Sequence, residues 1–306
     1  MGVTHIGKPF ILIKCMEKRW IERMYENGEI RLSCPGKWIK YEQMNGLGRG
    51  DKFEGTFKIT STDTEEFKSL KKRYGNNLIE NKESNYTYYQ LHTVIGCPTF
   101  CFYTIEDSDI KIKDEVVTEG SYEAEYIISG EFFQDFAKGK GISREDINNL
   151  PEDEQPAMLI IKGNDNIETF LARVKKSLKM QYGLCDSNIL IKRVEYEYTR
   201  NMKNTFSCKY DHPYELFYKN RELKYQNEAR VVINSKKYRF KNYCDDYLDL
   251  KLGSLKDCSE MFVGYHPEGV KMKMKVDVSR IGDILKRKGK ITTGYEGNSI
   301  NVLKGN

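Results

Sequence analysis

The chain has 306 residues, of which 39% are hydrophobic and 31% charged, and 50 basic and 45 acidic side chains give a formal net charge of +5. This composition is that of a globular protein and not of an obvious polyanion binder, so we expect one elaborated domain over 1–306, with its core at about 11–285 and a C-terminal tail that frays. No apolar run approaches the ~18–20 residues that span a bilayer and no signal peptide is evident, which predicts a cytoplasmic protein without a membrane partner.

The first half of the chain mixes strands and helices without the alternation of βαβ units. Two polar stretches, 34–51 and 76–85, are typical of loops, and the glycine-rich part of the first fits neither the Walker nor the Rossmann spacing. The predicted elements are a strand over 9–13 that ends at Lys14, a helix over 17–27 closed by Gly28, a strand over 29–33, a helix over 64–73, and strands over 86–95 and 98–105.

The second half continues this mixture. The predicted elements are a strand over 124–129, a helix over 131–138, a strand over 158–162, a helix over 167–180, a strand over 189–198, a short helix over 214–218, strands over 225–233 and 261–264, and a mixed segment over 276–285. The order predicts an α+β fold of two packed antiparallel or mixed sheets, with the helices at 17–27 and 166–180 on their flanks.

The segment Tyr225-Gln226-Asn227-Glu228-Ala229-Arg230 runs directly into the apolar, β-branched residues 231–233. Glu228 and Arg230 are two apart on a predicted strand, so both side chains point to one face. One interpretation is a surface salt bridge between them. The other is a Gln-x-Glu element at a strand edge, in which Gln226 and Glu228 face one cleft.

Seven short landmarks follow one another along the chain: Leu12-Ile13-Lys14, the helix ending at Gly28 followed by Ile30-Arg31-Leu32, Asp51-Lys52-Phe53-Glu54, Cys101-Phe102, Phe217-Tyr218-Lys219, Tyr225 through Val232, and Met261-Phe262-Val263-Gly264. In this order they resemble bacterial domain-of-unknown-function family 2971 across most of 11–285. The family's pattern of a basic residue on a first strand, a small or aromatic polar residue on a middle strand and a Glu on a late strand is in turn similar to that of ADP-ribosyltransferases.

That second resemblance implies an ADP-ribosyltransferase-like fold with NAD as co-substrate. It implies catalytic roles for Glu228, Gln226 and Tyr103, and NAD contacts from Lys14, Arg31, Tyr103 and Arg230. Cleavage of nicotinamide leaves an oxocarbenium-like ribose, which a fixed carboxylate such as Glu228 stabilises. Gln226 would then face the acceptor, and the enzyme interpretation requires Lys14, Tyr103 and Glu228 to line one cleft.

The leading hypothesis is therefore an NAD-dependent ADP-ribosyltransferase, a toxin or antiphage effector that modifies a nucleic acid (RNA or DNA) or a protein, with an antitoxin or another protein as partner. The alternative is a non-enzymatic module of the same fold that binds a nucleotide, RNA or protein. An RNA acceptor would place Lys71, Lys72, Arg73 and Arg49 beside the cleft.

Other chemistries have less support in the sequence. No metal site is predicted, because His92, Cys97 and Cys101 lack a fourth ligand nearby. The eight cysteines are scattered singly, as reduced thiols are. A carboxylate nuclease built on Asp107-Asp109 or Asp245-Asp246 is the weaker enzyme hypothesis.

Overall fold

The structure is a computed structural model that describes residues 4–5, 9–45, 51–61, 64–106, 109, 111–112, 121–143, 145–198, 206–207, 213–264, 266 and 268–277. Four features of the sequence prediction lie outside these residues. They are the loop at 46–50 with Arg49, Asp107, most of the mixed segment at 276–285, and the tail after Gly289.

The described residues form helices of one to five turns and many short strands. The helices are α1 (Lys18–Asn27), α2 (Pro35–Asn45), α3 (Thr64–Tyr74), α4 (His92–Ile95), α5 (Gly130–Lys140) and α6 (Asn164–Tyr182). The strands are β1 (Thr4–His5), β2 (Pro9–Glu17), β3 (Glu29–Leu32), β4 (Lys58–Thr60), β5 (Leu78–Lys82), β6 (Thr87–Leu91), β7 (Thr99–Glu106), β8 (Lys111–Ile112), β9 (Ser121–Ile128), β10 (Pro156–Lys162), β11 (Ile189–Arg193), β12 (Glu195–Tyr198), β13 (Phe206–Ser207), β14 (Tyr218–Asn220), β15 (Glu228–Ile233), β16 (Leu248–Lys251), β17 (Glu260–Val263) and β18 (Val270–Asp277).

A seven-stranded sheet is the centre of the fold, with strand order β1-β11-β15-β7-β2-β10-β17. Its pairs are antiparallel except for β1 with β11. Within the described residues the other strands form four smaller sheets, β13-β4-β6-β5, β18-β9-β8, β12-β14 and β16-β3. The predicted α+β class is confirmed, although the strands are spread over five sheets and not two.

Apolar residues cover both faces of the central sheet because alternate side chains of a strand point to opposite faces. On the first face, Leu12, Phe102 and Val231 pack with residues of α1, α6, β3 and β16 in one large core. On the second face, one core surrounds Ile13 with residues of β9 and α5, and another surrounds Val232 with residues of β6. Glu228 and Arg230 also belong to this second face.

Several predicted elements are present with small changes of boundary. Helices α1, α3, α5 and α6 all lie where the apolar periodicity predicts them. Gly28 ends α1 in the left-handed conformation, with φ of 64°, and its N–H donates to the carbonyl of Met24 at 2.9 Å. A Cβ at Gly28 would stand 2.0 Å from the carbonyl oxygen of Gly253, so the close approach of two backbones also requires glycine here.

Both predicted loops contain regular structure, so those predictions are wrong. Residues 35–45 form α2, because proline is well suited to the first helical position and does not break the helix that follows it. Residues 78–82 form β5, which among the described strands pairs with β6 alone and lies at the edge of its sheet, where polar side chains are tolerated. The predicted strand at 189–198 is also divided at Val194 into β11 and β12, which belong to different sheets.

Candidate functional site

The chain enters β15 through a single residue in the left-handed conformation. A 3-10 helix spans Arg221–Gln226, and Asn227 follows it with φ of 38°, so Gln226 is not part of the strand as predicted. The Asn227 side chain donates to the carbonyl of Thr104 at 2.6 Å and to Asp109 at 2.9 Å, and it accepts a bond from Arg193. Asparagine tolerates this conformation, and these bonds fix the point at which Glu228 begins the strand.

Arg230 is fully buried, and its guanidinium is bound on two edges by carboxylates. Its Nη1 and Nη2 donate to the two oxygens of Glu54 at 2.7 and 2.8 Å, which is the bidentate geometry of strong arginine pairs. Its Nε donates to Oε1 of Glu228 at 2.8 Å. The carbonyl of Leu216 accepts a further bond at 2.5 Å. The Glu228–Arg230 pair is therefore a buried ion pair and not the surface salt bridge of the first interpretation.

Lys219 of β14 completes this arrangement with a second buried cation. Its Nζ donates to Oε2 of Glu228 at 2.9 Å and to Oε1 of Gln226 at 2.6 Å, and it lies 3.3 Å from Oε1 of Glu54. We call Glu54, Lys219, Glu228 and Arg230 the charge cluster. Two carboxylates and two cations balance one another, which is what makes their joint burial tolerable.

The cluster favours the charged forms of Glu228 and Lys219. Burial alone disfavours the Glu228 carboxylate, but Arg230 and Lys219 outweigh it and keep the pKa of Glu228 well below its ordinary value. Burial likewise opposes the charge of Lys219, and Glu228 and Glu54 outweigh it and raise the pKa of that ammonium. The Glu228 carboxylate is therefore ionised at neutral pH.

Helices α2 and α5 supply the groups that border the cluster. Trp38 of α2 places its ring centroid 5.3 Å from the guanidinium carbon of Arg230. Asp135 of α5 accepts a bond from Gln226 at 2.8 Å and bonds from the hydroxyl of Tyr225 at 2.9 Å. Gln226 thus joins the cluster to α5, because one end of its carboxamide meets Lys219 and the other meets Asp135.

Asp51 is a buried carboxyl next to the cluster that has no cation in direct contact among the ion pairs of the described residues. It is 0% exposed, and its Oδ1 accepts a bond from the N–H of Phe53 at 3.0 Å. Its Oδ2 accepts no hydrogen bond from the described part of the chain. Burial, and next the negative charge of Glu54, raise the pKa of Asp51 to about 7.

Tyr103 lies directly opposite Glu228 in the antiparallel pairing of β15 with β7. Both side chains therefore belong to the same face of the sheet. The ring of Tyr103 is buried, with its centroid 4.7 Å from that of Phe132, and its hydroxyl meets the hydroxyl of Tyr126. Burial, together with Tyr126, raises the pKa of Tyr103.

Lys14 and Arg31 are not in this site. Lys14 follows Leu12 on the first face of the sheet, where its Nζ donates to the carbonyl of Cys101 at 2.9 Å and lies 4.4 Å from the ring centroid of Phe100. Arg31 is exposed on β3 and pairs with Asp249 at 3.0 Å. The cleft shared by Lys14, Tyr103 and Glu228 does not form in this structure, because alternation along β2 turns Lys14 away.

Sequence reasoning missed Glu54 and Lys219 as members of the site. Each directly follows a buried aromatic residue, Phe53 or Tyr218. Charged residues are almost never fully buried without a partner, so an acid and a base in such surroundings signal a buried ion pair. Both also lie in landmarks of the family resemblance, and the structure brings those distant segments together.

Two features are absent from the part of the chain that the structure describes. No group of three or more His, Cys, Asp or Glu side chains there is arranged to hold a metal ion. Among the described residues, no helix combines the length and the apolar character required to cross a membrane. Lys71, Lys72 and Arg73 are exposed in the last turn of α3, and the RNA cleft proposed for them stays a prediction.

Comparisons of the chain with protein-family models, with curated proteins and with solved structures found no match. The family 2971 resemblance and the relationship to ADP-ribosyltransferases therefore stay predictions that rest on the residues themselves.

Proposed function

We propose that this protein is an NAD-dependent ADP-ribosyltransferase with Glu228 as its catalytic carboxylate. The observation that supports this best is the adjacency of β15, β7 and β2 in one sheet. These are the strands to which the resemblance assigns the late Glu, the middle aromatic residue and the first basic residue. Glu228 also stands directly opposite Tyr103, as neighbouring members of one site would.

The chemistry asks for a fixed negative charge beside the ribose of NAD. When the bond between the nicotinamide nitrogen and the ribose carbon breaks, the electron pair leaves with nicotinamide and positive charge develops on the sugar. A preorganised carboxylate stabilises that charge. Glu228 meets this requirement because its low pKa keeps it ionised and because bonds from Arg230 and Lys219 fix its orientation.

The other predicted site residues take roles that fit their surroundings. Gln226, which lies between Lys219 and Asp135, is assigned to the acceptor side. Arg230 is a positioning residue for Glu228, since it is fully buried. Tyr103 supports the strand opposite Glu228. Lys14 and Arg31 have no place in the NAD site, so the cleft of Lys14, Tyr103 and Glu228 that the sequence led us to require is not formed, and the proposal rests on Glu228 and its neighbours alone.

Incubation of the protein with labelled NAD and a cell lysate tests the proposal, with free nicotinamide and labelled macromolecules both measured. The wild type should release nicotinamide and label an RNA, DNA or protein acceptor, as expected of a toxin or antiphage effector. Glu228→Gln should do neither. The matched control is Glu195→Gln, since Glu195 is an exposed acid paired with Lys192 at 2.6 Å. Absence of nicotinamide release from the wild type would refute the proposal.

A second candidate is a non-enzymatic module of the same fold, for which the burial of the cluster is the supporting observation. Glu228 is only 7% exposed and binds two cations. A buried ion network of this kind can serve to fix one packing arrangement. Under this alternative Glu228→Gln changes stability, and neither the variant nor the wild type cleaves NAD.

A further inference from the structure

Four side chains from α1, β3 and the residue before β16 form an exposed surface of aromatic rings and guanidinium groups. They are Trp20 of α1, Arg23 of α1, Arg31 of β3 and Tyr247, which directly precedes β16. We call these four residues the aromatic–arginine surface. Trp20 is 37% and Tyr247 50% exposed, and the side chains of Arg23 and Arg31 are 51% and 50% exposed.

The planar groups of this surface are stacked closely. The guanidinium carbon of Arg31 lies 3.8 Å from the ring centroid of Tyr247 and 5.8 Å from that of Trp20. Arg23 lies 5.2 Å from the Trp20 ring. Arg31 therefore contacts both aromatic rings, and Arg23 and Arg19, the latter at 5.5 Å from the ring centroid, add two further cations to the exposed indole.

Packing of the core does not account for these rings. Helix α1 buries Ile21 and Met24, whereas Trp20 is exposed and is not among the residues of the first-face core. Ile30 and Leu32 on either side of Arg31 are buried in the first-face core, which puts Arg31 on the outer side of β3. Exposed aromatic residues interleaved with arginine are the composition of surfaces that bind single-stranded nucleic acid.

The acidic neighbours leave the guanidinium groups available to phosphates. Arg23 meets Glu29 and Arg31 meets Asp249, and all four side chains are at least 29% exposed. Exposed ion pairs contribute about 0–1 kcal/mol, so a phosphate can replace or share them at low cost. Arginine has five N–H donors, so it can bind a carboxylate and a phosphate at once.

We propose that the aromatic–arginine surface binds a single-stranded nucleic acid, with bases stacked on Trp20 and Tyr247 and phosphates held by Arg23 and Arg31. Bases in a duplex are already stacked on one another, so the surface should prefer single strands. It lies on the first-face side of the central sheet, away from Glu228. The inference is therefore independent of NAD cleavage, and either can fail without the other.

Fluorescence anisotropy with labelled oligouridine, oligothymidine and an RNA duplex, each of about twelve nucleotides, tests the proposal. Both single strands should bind more tightly than the duplex, with affinity that falls as salt rises. Trp20→Ala should weaken single-strand binding by about five- to a hundredfold, because one stacked base is lost. Arg31→Lys keeps the positive charge but replaces the planar guanidinium, so it should also weaken single-strand binding.

A control variant separates binding at this surface from general electrostatics. Lys68→Ala removes one exposed positive charge on α3, which pairs only with Glu65 among the salt bridges of the described residues, and it should bind within about twofold of the wild type. The proposal is overturned if the wild type binds no single strand, if the duplex binds equally well, or if Trp20→Ala binds like the wild type.

Discussion

Replacing Glu228 by Gln should destabilise the protein strongly, because the change leaves an excess positive charge inside the charge cluster. The carboxylate accepts bonds from Arg230 at 2.8 Å and from Lys219 at 2.9 Å. A carboxamide keeps one acceptor oxygen but points N–H donors at one of these cations. Removing one partner of a buried ion pair costs about 3–5 kcal/mol.

The expected cost lies near the lower end of that range, about 3 kcal/mol, because Glu54 still binds Arg230 through two hydrogen bonds. Adding Lys219→Met removes the excess charge and keeps an unbranched side chain of similar length. The double variant should therefore be more stable than the sum of the single variants predicts, by about 1–3 kcal/mol.

Urea unfolding followed by far-UV circular dichroism measures all four members of this cycle. Glu195→Gln is again the control, and it should change the free energy of unfolding by less than about 1 kcal/mol because its ion pair is exposed. If Glu228→Gln costs no more than the control, or if the Glu228 and Lys219 variants are additive, the four residues do not act as one cluster.

Two further predictions concern titration and backbone geometry. Because the folded protein raises the pKa of Asp51 from 3.8 to about 7, this carboxyl contributes stability that is lost as pH rises from about 4 to about 7. In urea unfolding from pH 5 to 8, Asp51→Asn should therefore gain stability relative to the wild type, by about 3 kcal/mol between the two ends of that range. A constant difference across that range would contradict a buried, titrating Asp51. Gly28→Ala should lower the free energy of unfolding by more than Gly183→Ala. Both glycines have positive φ, but of the two only Gly28 would place a Cβ against backbone, 2.0 Å from the carbonyl oxygen of Gly253. The Gly183 variant should cost about 1 kcal/mol, the ordinary penalty of a left-handed non-glycine residue, and equal losses would refute the close contact.

The sequence predicts the elements whose signals are local. Amphipathic periodicity is sufficient for α1 and α6, and the β-branched run at 231–233 is sufficient for β15. Local signals fail where tertiary context decides. The polar residues of β5 form a strand because β6 supplies the partner with which they pair. Strand β15 begins at Glu228, two residues after Gln226, because the hydrogen bond from Asn227 to Thr104 fixes the residue that precedes the strand.

In the candidate site too, local patterns predict some features and tertiary contacts decide the others. Spacing alone places Glu228 and Arg230 on one face, and the structure agrees. The partner Glu54 is 176 positions from Arg230, a separation that no local pattern can bridge. The face of the sheet on which Lys14 lies depends on the register of β2 with β7, and a run of apolar residues does not determine that register.

Release of nicotinamide from NAD by variants of Lys219 and Glu228 tests the central claim most directly. Lys219→Met should retain cleavage, because it leaves Glu228 ionised beside Arg230. Lys219→Met combined with Glu228→Gln should lose about 10²–10³ in rate while remaining folded, because a preorganised electrostatic group is removed. A wild type that releases no nicotinamide, or a folded double variant that cleaves NAD as fast as Lys219→Met alone, would contradict the assignment of Glu228 as the catalytic carboxylate.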